Sequence, residues 1–274
     1  MNLARTIIFL TLSTFLIGRN PAMGTVELRL PQDVFYDRPA SAVMSPEAIW
    51  VNPASITHDS TAGFQYMGEV KKSSWFKNWG IASTGNGLGI AYRHLKNFEA
   101  SAFEEYIFAA GAEIVRGLNW GGSYRYIRKG PASYNRRHLW NLALYMRRSR
   151  DIALAAVFEN LNRGEIEGQK SAVVQRYAFS YYLLQSRVIL SIEARTATGR
   201  GFSDADYLYT AEYFSTKNWD FFAAADNAKS YQFGVRYTHG YYTYGVQSRI
   251  AHNDGPMTNI FFIEYRPAWG RGRR

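Results

Sequence analysis

The sequence predicts an all-β protein, a transmembrane antiparallel up-and-down β-barrel of about fourteen strands. Three observations lead to this fold class. The chain of 274 residues is rich in aromatic residues, with 7 Trp, 20 Tyr and 17 Phe, which favour sheets and interfaces. Apolar and polar residues alternate along most of the chain, and the joins between these alternating segments are short and long in turn. The absence of cysteine excludes disulfide bonds, thiolate metal sites and a cysteine nucleophile.

Residues 1–24 are predicted to be a signal peptide. The mostly apolar run from Thr6 to Ile17 follows one basic residue, Arg5, and is shorter than a membrane-spanning helix, which needs about 20 apolar residues. Small residues two positions apart, Ala22 and Gly24, form an acceptable cleavage site. An N-terminal anchor helix is the alternative interpretation. Export disfavours nucleic acid as a partner, although the whole chain carries a net charge of +10.

The clearest strand pattern lies at Tyr231–Thr238, where odd positions are apolar or aromatic and even positions are polar, charged or glycine. This period of two predicts a strand with one apolar face. Similar segments recur, each expected to be near the roughly ten residues that a tilted strand needs to cross a bilayer. In chain order, the predicted strands lie near residues 64–70, 75–81, 88–93, 106–115, 118–126, 140–147, 152–159, 177–183, 188–195, 207–213, 219–226, 231–238, 242–250 and 259–265.

The direction of the apolar face separates a membrane barrel from a soluble β-sandwich, which is the alternative fold. A sandwich packs its apolar faces inward, whereas a membrane barrel turns them toward lipid and lines its lumen with the polar face. Here the apolar face carries Tyr and Trp near strand ends, and the other face carries Gly, Ala and Ser beside Arg and Glu. Small residues on that face suit a narrow, filled interior. We therefore expect the protein in the outer membrane of a diderm bacterium, with outer-membrane lipid as a partner.

The joins between predicted strands give an independent argument for the barrel. Tight periplasmic turns and longer external loops alternate in outer-membrane barrels, and a sandwich has no reason to alternate in this regular way. Short joins are predicted at 83–86, 116–117, 149–150, 185–186, 215–217 and 239–240, and longer joins at 96–101, 130–137, 161–171, 196–205 and 252–257. The first hairpin, near 70–73, breaks this alternation, and the join at 226–230 follows it only weakly.

Charged residues on the polar face of the strands are predicted to line the lumen. They are Arg93, Glu113, Arg125, Arg147, Glu159, Arg176, Glu193, Arg195, Glu212, Arg236 and Arg249. Buried charges must be paired or hydrated, so a lumen that offers both signs can neutralise itself. A selectivity lining for anionic solutes is the alternative, because Arg outnumbers Glu in this set. No catalytic, cofactor-binding or metal site is predicted, since the five histidines fall on separate segments without metal-ligand spacing.

The segment before the first predicted strand carries a short motif. Residues 40–55 run from small residues into Trp50-Val51-Asn52-Pro53-Ala54. This Trp-x-Asn-Pro-Ala pattern resembles the N-terminal segment of the FadL-like outer-membrane β-barrel superfamily, in the branch that contains PorV and PorQ. Two further segments are similar to that branch: Phe158–Gly164 resembles an Asn-Leu-Gly element at the end of a middle strand, and Asp204–Tyr213 resembles a strand that closes in a Glu-Tyr pair.

The resemblance implies that the N-terminal segment folds into the lumen as a hatch. On this basis, residues 25–60 form the hatch or plug, residues 61–267 form the barrel, and residues 268–274 form a basic C-terminal tail. Trp50, Asn52, Pro53 and Ala54 are the expected hatch or gate residues. Pro53 interrupts regular hydrogen bonding, and the Asn52 side chain can cap backbone groups left open in the turn. An ordinary turn before the first strand is the alternative.

The resemblance also implies a function without catalysis. FadL-type members conduct hydrophobic small molecules across the outer membrane, which makes such a molecule the expected ligand. PorV-type members are non-enzymatic components or cargo shuttles of type IX protein secretion, which makes a secreted cargo protein the alternative partner. A barrel hydrolase would require a Ser and a His within hydrogen-bond reach on adjacent strands, and no spacing in the sequence demands that arrangement.

Overall fold

The computed structural model describes most of the chain from residue 38 to residue 267. The described ranges are 38–44, 46–57, 62–71, 74–98, 101–130, 134–147, 149–166, 169–215, 218–227, 229–250 and 257–267. The predicted signal peptide, the first part of the predicted hatch and the predicted basic tail lie outside the described residues, and these assignments stay predictions. No helix among the described residues has the length and apolar character needed to cross a membrane.

Strands make up most of the described chain. They are β1 (Gly63–Lys71), β2 (Ser74–Gly85), β3 (Leu88–Phe98), β4 (Ser101–Val115), β5 (Leu118–Lys129), β6 (Arg137–Met146), β7 (Ile152–Glu159), β8 (Glu165–Ile166), β9 (Gln169–Lys170), β10 (Val174–Leu183), β11 (Val188–Ala197), β12 (Asp206–Phe214), β13 (Trp219–Asp226), β14 (Tyr231–His239), β15 (Tyr242–Ile250) and β16 (Thr258–Tyr265). The helical elements are α1 (Ala48–Val51) and two short 3₁₀ helices, Pro53–Thr57 and Phe202–Asp204.

Fourteen of these strands close into one antiparallel barrel, β1 to β7 followed by β10 to β16. Each strand pairs with its neighbour in the chain, apart from β7, which pairs with β10 across the small β8–β9 hairpin. The ring closes where β1 pairs with β16, with Phe64 opposite Tyr265. Every segment that the sequence pattern marked as a strand coincides with one of these fourteen. The predicted up-and-down barrel is therefore confirmed.

The apolar face of each strand lies on the outside of the barrel. On β14, Tyr231 is 48% exposed, Phe233 is 55% exposed and Val235 is 39% exposed, whereas Gln232 between them is 2% exposed. This distribution is the reverse of a soluble sandwich, which would bury the large apolar side chains. A closed ring of hydrogen-bonded strands with an apolar exterior satisfies its backbone in lipid. The chain is an outer-membrane β-barrel.

One end of the barrel carries tight turns. Asn86 and Gly87 join β2 to β3 with φ angles of 51° and 76°, the left-handed pair that a two-residue hairpin requires. The β4–β5 join is also two residues, with Gly117 at a φ of 80°. The chain enters β1 and leaves β16 at this same end. Short turns face the periplasm in barrels of this class, so the longer joins face outward.

The prediction of a longer join at 96–101 was wrong. Strand β3 continues to Phe98 and β4 begins at Ser101, because the two strands keep pairing beyond a register shift between Leu95 and Phe98. The first four joins are therefore all short, and the longer joins begin after β5, although the joins at 215–218 and 227–230 are equal in length.

Candidate functional site

The described residues that precede β1, 38–44 and 46–57, form a buried segment, which we call the inner segment. Its residues are buried almost throughout, and it contains α1 and the first 3₁₀ helix. Asn52 adopts an extended backbone with φ −146° and ends α1, as expected for a residue that precedes proline. The Asn52 side chain donates to the Ala40 carbonyl oxygen at 2.8 Å and accepts from the Ala54 backbone N–H at 3.0 Å. Asn52 thus ties the two halves of the inner segment together.

Three glycines on the inner face of the wall admit this segment. A Cβ atom at Gly121 of β5 would overlap the backbone of Pro53 and Ala54. A Cβ at Gly111 of β4 would lie 2.9 Å from the Pro53 carbonyl oxygen, and a Cβ at Gly89 of β3 would lie 2.9 Å from the Ile49 side chain. Glycine in a strand interior often marks a site where another backbone approaches closely. The predicted gate residues therefore lie directly against the wall.

The apolar side chains of the inner segment pack on one half of the wall. Ile49, Trp50, Val51 and Ile56 are at most 2% exposed. They share a buried cluster with the inward-facing side chains of β1 to β6, which include Met67, Leu95, Phe103, Ile107, Ile127 and Leu139. The inner segment and this part of the wall therefore share one apolar cluster.

A buried charge cluster holds the end of α1. Arg93 donates to Glu105 at 2.5 Å, and Arg125 donates to the other Glu105 oxygen at 3.3 Å. Arg125 also donates to the Trp50 carbonyl oxygen at 2.6 Å, and the Arg93 guanidinium lies 5.5 Å from the Trp50 ring centroid. All three charged side chains are at most 1% exposed, so their pairing offsets the cost of removing them from water.

A second charge cluster attaches the start of the inner segment to the opposite wall. Arg38 pairs with Glu47 within the segment at 3.1 Å and with Glu212 of β12 at 3.2 Å. Glu47 in turn pairs with Arg236 of β14 at 3.0 Å. On β11, Glu193 accepts from the Ala40 backbone N–H at 2.7 Å. The inner segment therefore spans the lumen between β3–β5 and β11–β14.

Glu47 is the acid of this cluster that the inner segment contributes, and it is buried. Burial raises the pKa of Glu47, but Arg236, Arg38 and Arg266 together outweigh burial and bring the pKa below its ordinary value of 4.5. Glu47 is therefore ionised at neutral pH, and it lies between Arg38 of the inner segment and Arg236 of the barrel wall.

The structure brings most of the predicted lumen charges inward. Buried on the inner face are Arg93, Arg125, Glu159, Arg176, Glu193 and Glu212. Arg176 pairs with Glu193 at 2.7 Å and with Glu159 at 3.5 Å. Partly exposed members keep partners as well: Arg195 pairs with Glu193 at 3.6 Å, Arg236 with Glu47 at 3.0 Å and Arg249 with Asp226 at 3.8 Å, and Arg147 lies 4.0 Å from the Tyr182 ring centroid.

Glu113 lies apart from this set. It is exposed at the short-turn end of β4, where its carboxylate accepts from the Gly117 backbone N–H at 2.7 Å. The sequence pattern put Glu113 on the inward face of β4 without indicating that the wall ends there.

The sequence analysis missed several interior charges among the described residues, including Arg38, Glu47, Glu69, Glu105, Glu264 and Arg266. Glu105 lies on β4 between Phe103 and Ile107, inward positions that are apolar because they pack against the inner segment. Glu105 lies opposite Arg93 in the pairing of β3 with β4, and this pairing would have indicated an inward charge on β4. The register of two strands is not visible in a single sequence. Among the described residues, no three His, Cys, Asp or Glu side chains are grouped to hold a metal ion.

Comparison with known proteins identifies structural likeness only. No protein-family profile matches the chain, and no curated protein matches it. A KdgM porin, solved in complex with disordered oligogalacturonate, superposes with a TM-score of 0.41 at 8% identity and covers 74% of this chain and 98% of its own. A mutant Rh. blastica porin superposes with a TM-score of 0.44 at 8% identity and covers 76% of this chain and 99% of its own. The fold and membrane placement therefore rest on the geometry of the chain itself, and the FadL-like and PorV/PorQ assignment stays a prediction.

Proposed function

We propose that the protein is a gated conduit for hydrophobic small molecules, with the inner segment as its hatch. The observation that carries this proposal is the span of the inner segment across the lumen. Its Trp50 carbonyl contacts Arg125 on β5, while Arg38 contacts Glu212 on β12. In this proposal, passage of a solute requires the segment to move away from one of the two sides.

The apolar half of the interior supports a hydrophobic solute. If the inner segment moves away from β1 to β6, it uncovers Met67, Leu95, Phe103, Ile107 and Leu139. These side chains would give the path apolar walls, with the paired Arg93, Glu105 and Arg125 as its polar groups, and apolar pockets with few polar groups are typical of sites for hydrophobic ligands. The Arg and Glu side chains on the opposite wall, β10 to β14, offer little selectivity for ions, because they pair with one another and with the inner segment.

A sealed scaffold is the second candidate function, in line with the PorV-type alternative. The ion pairs of Arg38 and Glu47 with β12 and β14, together with the Arg125–Trp50 contact on β5, support it, because a segment anchored on both walls suits a lumen that never opens. Such a barrel would present its loops to a secreted cargo protein rather than conduct a solute.

A reversible disulfide lock distinguishes these functions. The chain has no cysteine, and the Ser41 hydroxyl lies 2.7 Å from the Ser180 hydroxyl of β10. In the Ser41→Cys/Ser180→Cys double variant, oxidation would fix the inner segment to the wall. We expect uptake of radiolabelled oleate by diderm cells that express this variant to fall to the level of cells without the barrel. Reduction of the disulfide should restore uptake.

A matched control locks the wall alone. The Ser180 and Ser191 hydroxyls are 2.8 Å apart on the paired strands β10 and β11, so Ser180→Cys/Ser191→Cys leaves the inner segment free. Oleate uptake by this variant should stay at the wild-type level under both redox conditions. Persistent uptake by the oxidised Ser41/Ser180 lock would contradict the hatch. Absence of any uptake by the wild-type barrel, together with co-purification of an exported protein, would favour the scaffold.

A further inference from the structure

A row of aromatic side chains crosses the outer face of β2 to β6, and we call it the aromatic row. Its members are Trp79, Tyr92, Tyr106, Tyr126 and His138. Successive ring centroids are 5.1, 4.9, 6.4 and 4.9 Å apart. Amphipathic rings on the lipid-facing side of a barrel lie at the level of the lipid headgroups. The row therefore indicates the height of the membrane boundary on this wall.

Basic side chains lie just beyond the aromatic row, toward the end of the barrel that carries the long β5–β6 join. Residues two apart on a strand share a face, which places Lys77 on the side of Trp79, His94 and Lys96 on the side of Tyr92, and Arg128 on the side of Tyr126. Lys129 joins the group through its contact with Glu104 of β4. We call Lys77, His94, Lys96, Arg128 and Lys129 the basic patch.

One acidic side chain, Glu104, contacts part of the basic patch. Its carboxylate lies 2.8 Å from Lys129 Nζ, 3.8 Å from Arg128 Nη1 and 3.9 Å from His94 Nδ1. The Glu104 side chain is only 10% exposed, whereas those of Arg128 and Lys129 are 57% and 52% exposed. Lys77 and Lys96 are exposed as well. Among the described residues, Glu104 thus pairs with two of the four Lys and Arg side chains of the patch, Arg128 and Lys129, and all four are exposed.

We propose that the basic patch binds the phosphate groups of a phosphorylated glycolipid in the outer leaflet. Arg and Lys form charge-assisted hydrogen bonds with phosphate oxygens, and the planar Arg fork suits two oxygens of one phosphate. The acyl chains of the same lipid would lie along the apolar wall below the aromatic row. Solute passage requires no such site, so this inference goes beyond the proposed conduit.

Native mass spectrometry of the purified barrel in detergent tests the site, with lipid A as the probe. The Lys77→Gln/Lys96→Gln/Arg128→Gln variant removes three cations and leaves the Glu104–Lys129 pair intact. We expect its affinity for lipid A to fall at least about tenfold, the effect of losing charge-assisted contacts to phosphate. The matched control is Arg116→Gln/Arg150→Gln/Arg187→Gln, which removes three exposed cations at the short-turn end and should bind lipid A like the wild type.

A second measurement uses the wild-type barrel alone and does not depend on folding of the variants. Lipid A without its phosphates should bind at least about tenfold more weakly than intact lipid A. Equal binding of the two lipids, or equal loss in the patch and control variants, would overturn the proposal. Displacement of lipid A by an equal concentration of inorganic phosphate would also overturn it, since the patch would then be a site for a free anion.

Discussion

At the scale of single residues, glycine on the inner wall decides how closely the inner segment can approach. The Pro53–Ala54 backbone lies against the face of β5 that Gly121 leaves open, and a neighbouring glycine, Gly122, points to the other face. A Cβ at Gly122 would meet only the Asn141 carbonyl oxygen, at 3.5 Å. The two positions therefore separate an effect on the inner segment from a general effect of alanine in β5.

We expect Gly121→Ala to loosen the inner segment. The added methyl group overlaps the Pro53–Ala54 backbone, and overpacking of this kind typically destabilises a protein by about 1–3 kcal/mol. A glutamyl endopeptidase should then cleave after the buried Glu47 faster than in the wild-type barrel. Gly122→Ala serves as the control and should leave the cleavage rate unchanged. Equal rates in the wild type and both variants would show that the segment does not need the space above Gly121.

Glu47 makes the anchoring of the inner segment dependent on pH. Its pKa in the folded protein is below the ordinary value of 4.5, so its contribution to stability is present above about pH 4.5 and is lost as the pH falls through the folded pKa. We expect backbone amides at 46–57 to exchange faster with deuterium in this acidic window, after correction for intrinsic exchange. Glu47→Gln should exchange faster already at pH 7, because removal of one partner from a buried ion pair costs about 3–5 kcal/mol.

The Glu47→Gln variant also supplies the control for this titration. The contribution of Glu47 is the difference between the wild-type and variant profiles. Identical profiles would mean that Glu47 does not anchor the segment.

At the scale of elements, the sequence predicts the strands better than the interior. On β14, Tyr231, Phe233 and Val235 alternate with polar residues because one face meets lipid and the other meets the lumen. That contrast is local and is visible in the sequence. On β4, both faces are largely apolar, since Phe103 and Ile107 pack against the inner segment rather than against water.

The candidate site was predicted only in part for the same reason. The motif around Asn52 lies in the inner segment, and its role as a gate stays a prediction, whereas the inward positions of the strand Arg and Glu residues follow from the alternation. The partners Arg38 and Glu47 lie in a segment without strand periodicity, and their contacts join residues far apart in the chain, such as Arg38 and Glu212. Contacts of this kind depend on three-dimensional packing that a single sequence does not encode locally.

At the scale of the whole molecule, the inner segment crosses the lumen that the fourteen-stranded wall surrounds. We expect deletion of residues 25–57 to convert the closed barrel into a conducting pore in planar lipid bilayers, because removal of the segment frees the space between β3–β5 and β11–β14. The oxidised Ser41→Cys/Ser180→Cys variant is the closed control and should conduct no more than the wild type. A folded deletion variant that conducts like the wild type would contradict a plugging role for the segment.

The pairing of β1 with β16 also limits how this barrel can associate with other proteins. Because the ring is complete, none of its fourteen strands leaves a row of unpaired backbone groups at an edge. A partner therefore has no free strand edge in the barrel wall on which to extend the sheet by β-augmentation. Association must use side chains of the outer wall or the joins at either end, where specificity depends on shape and charge.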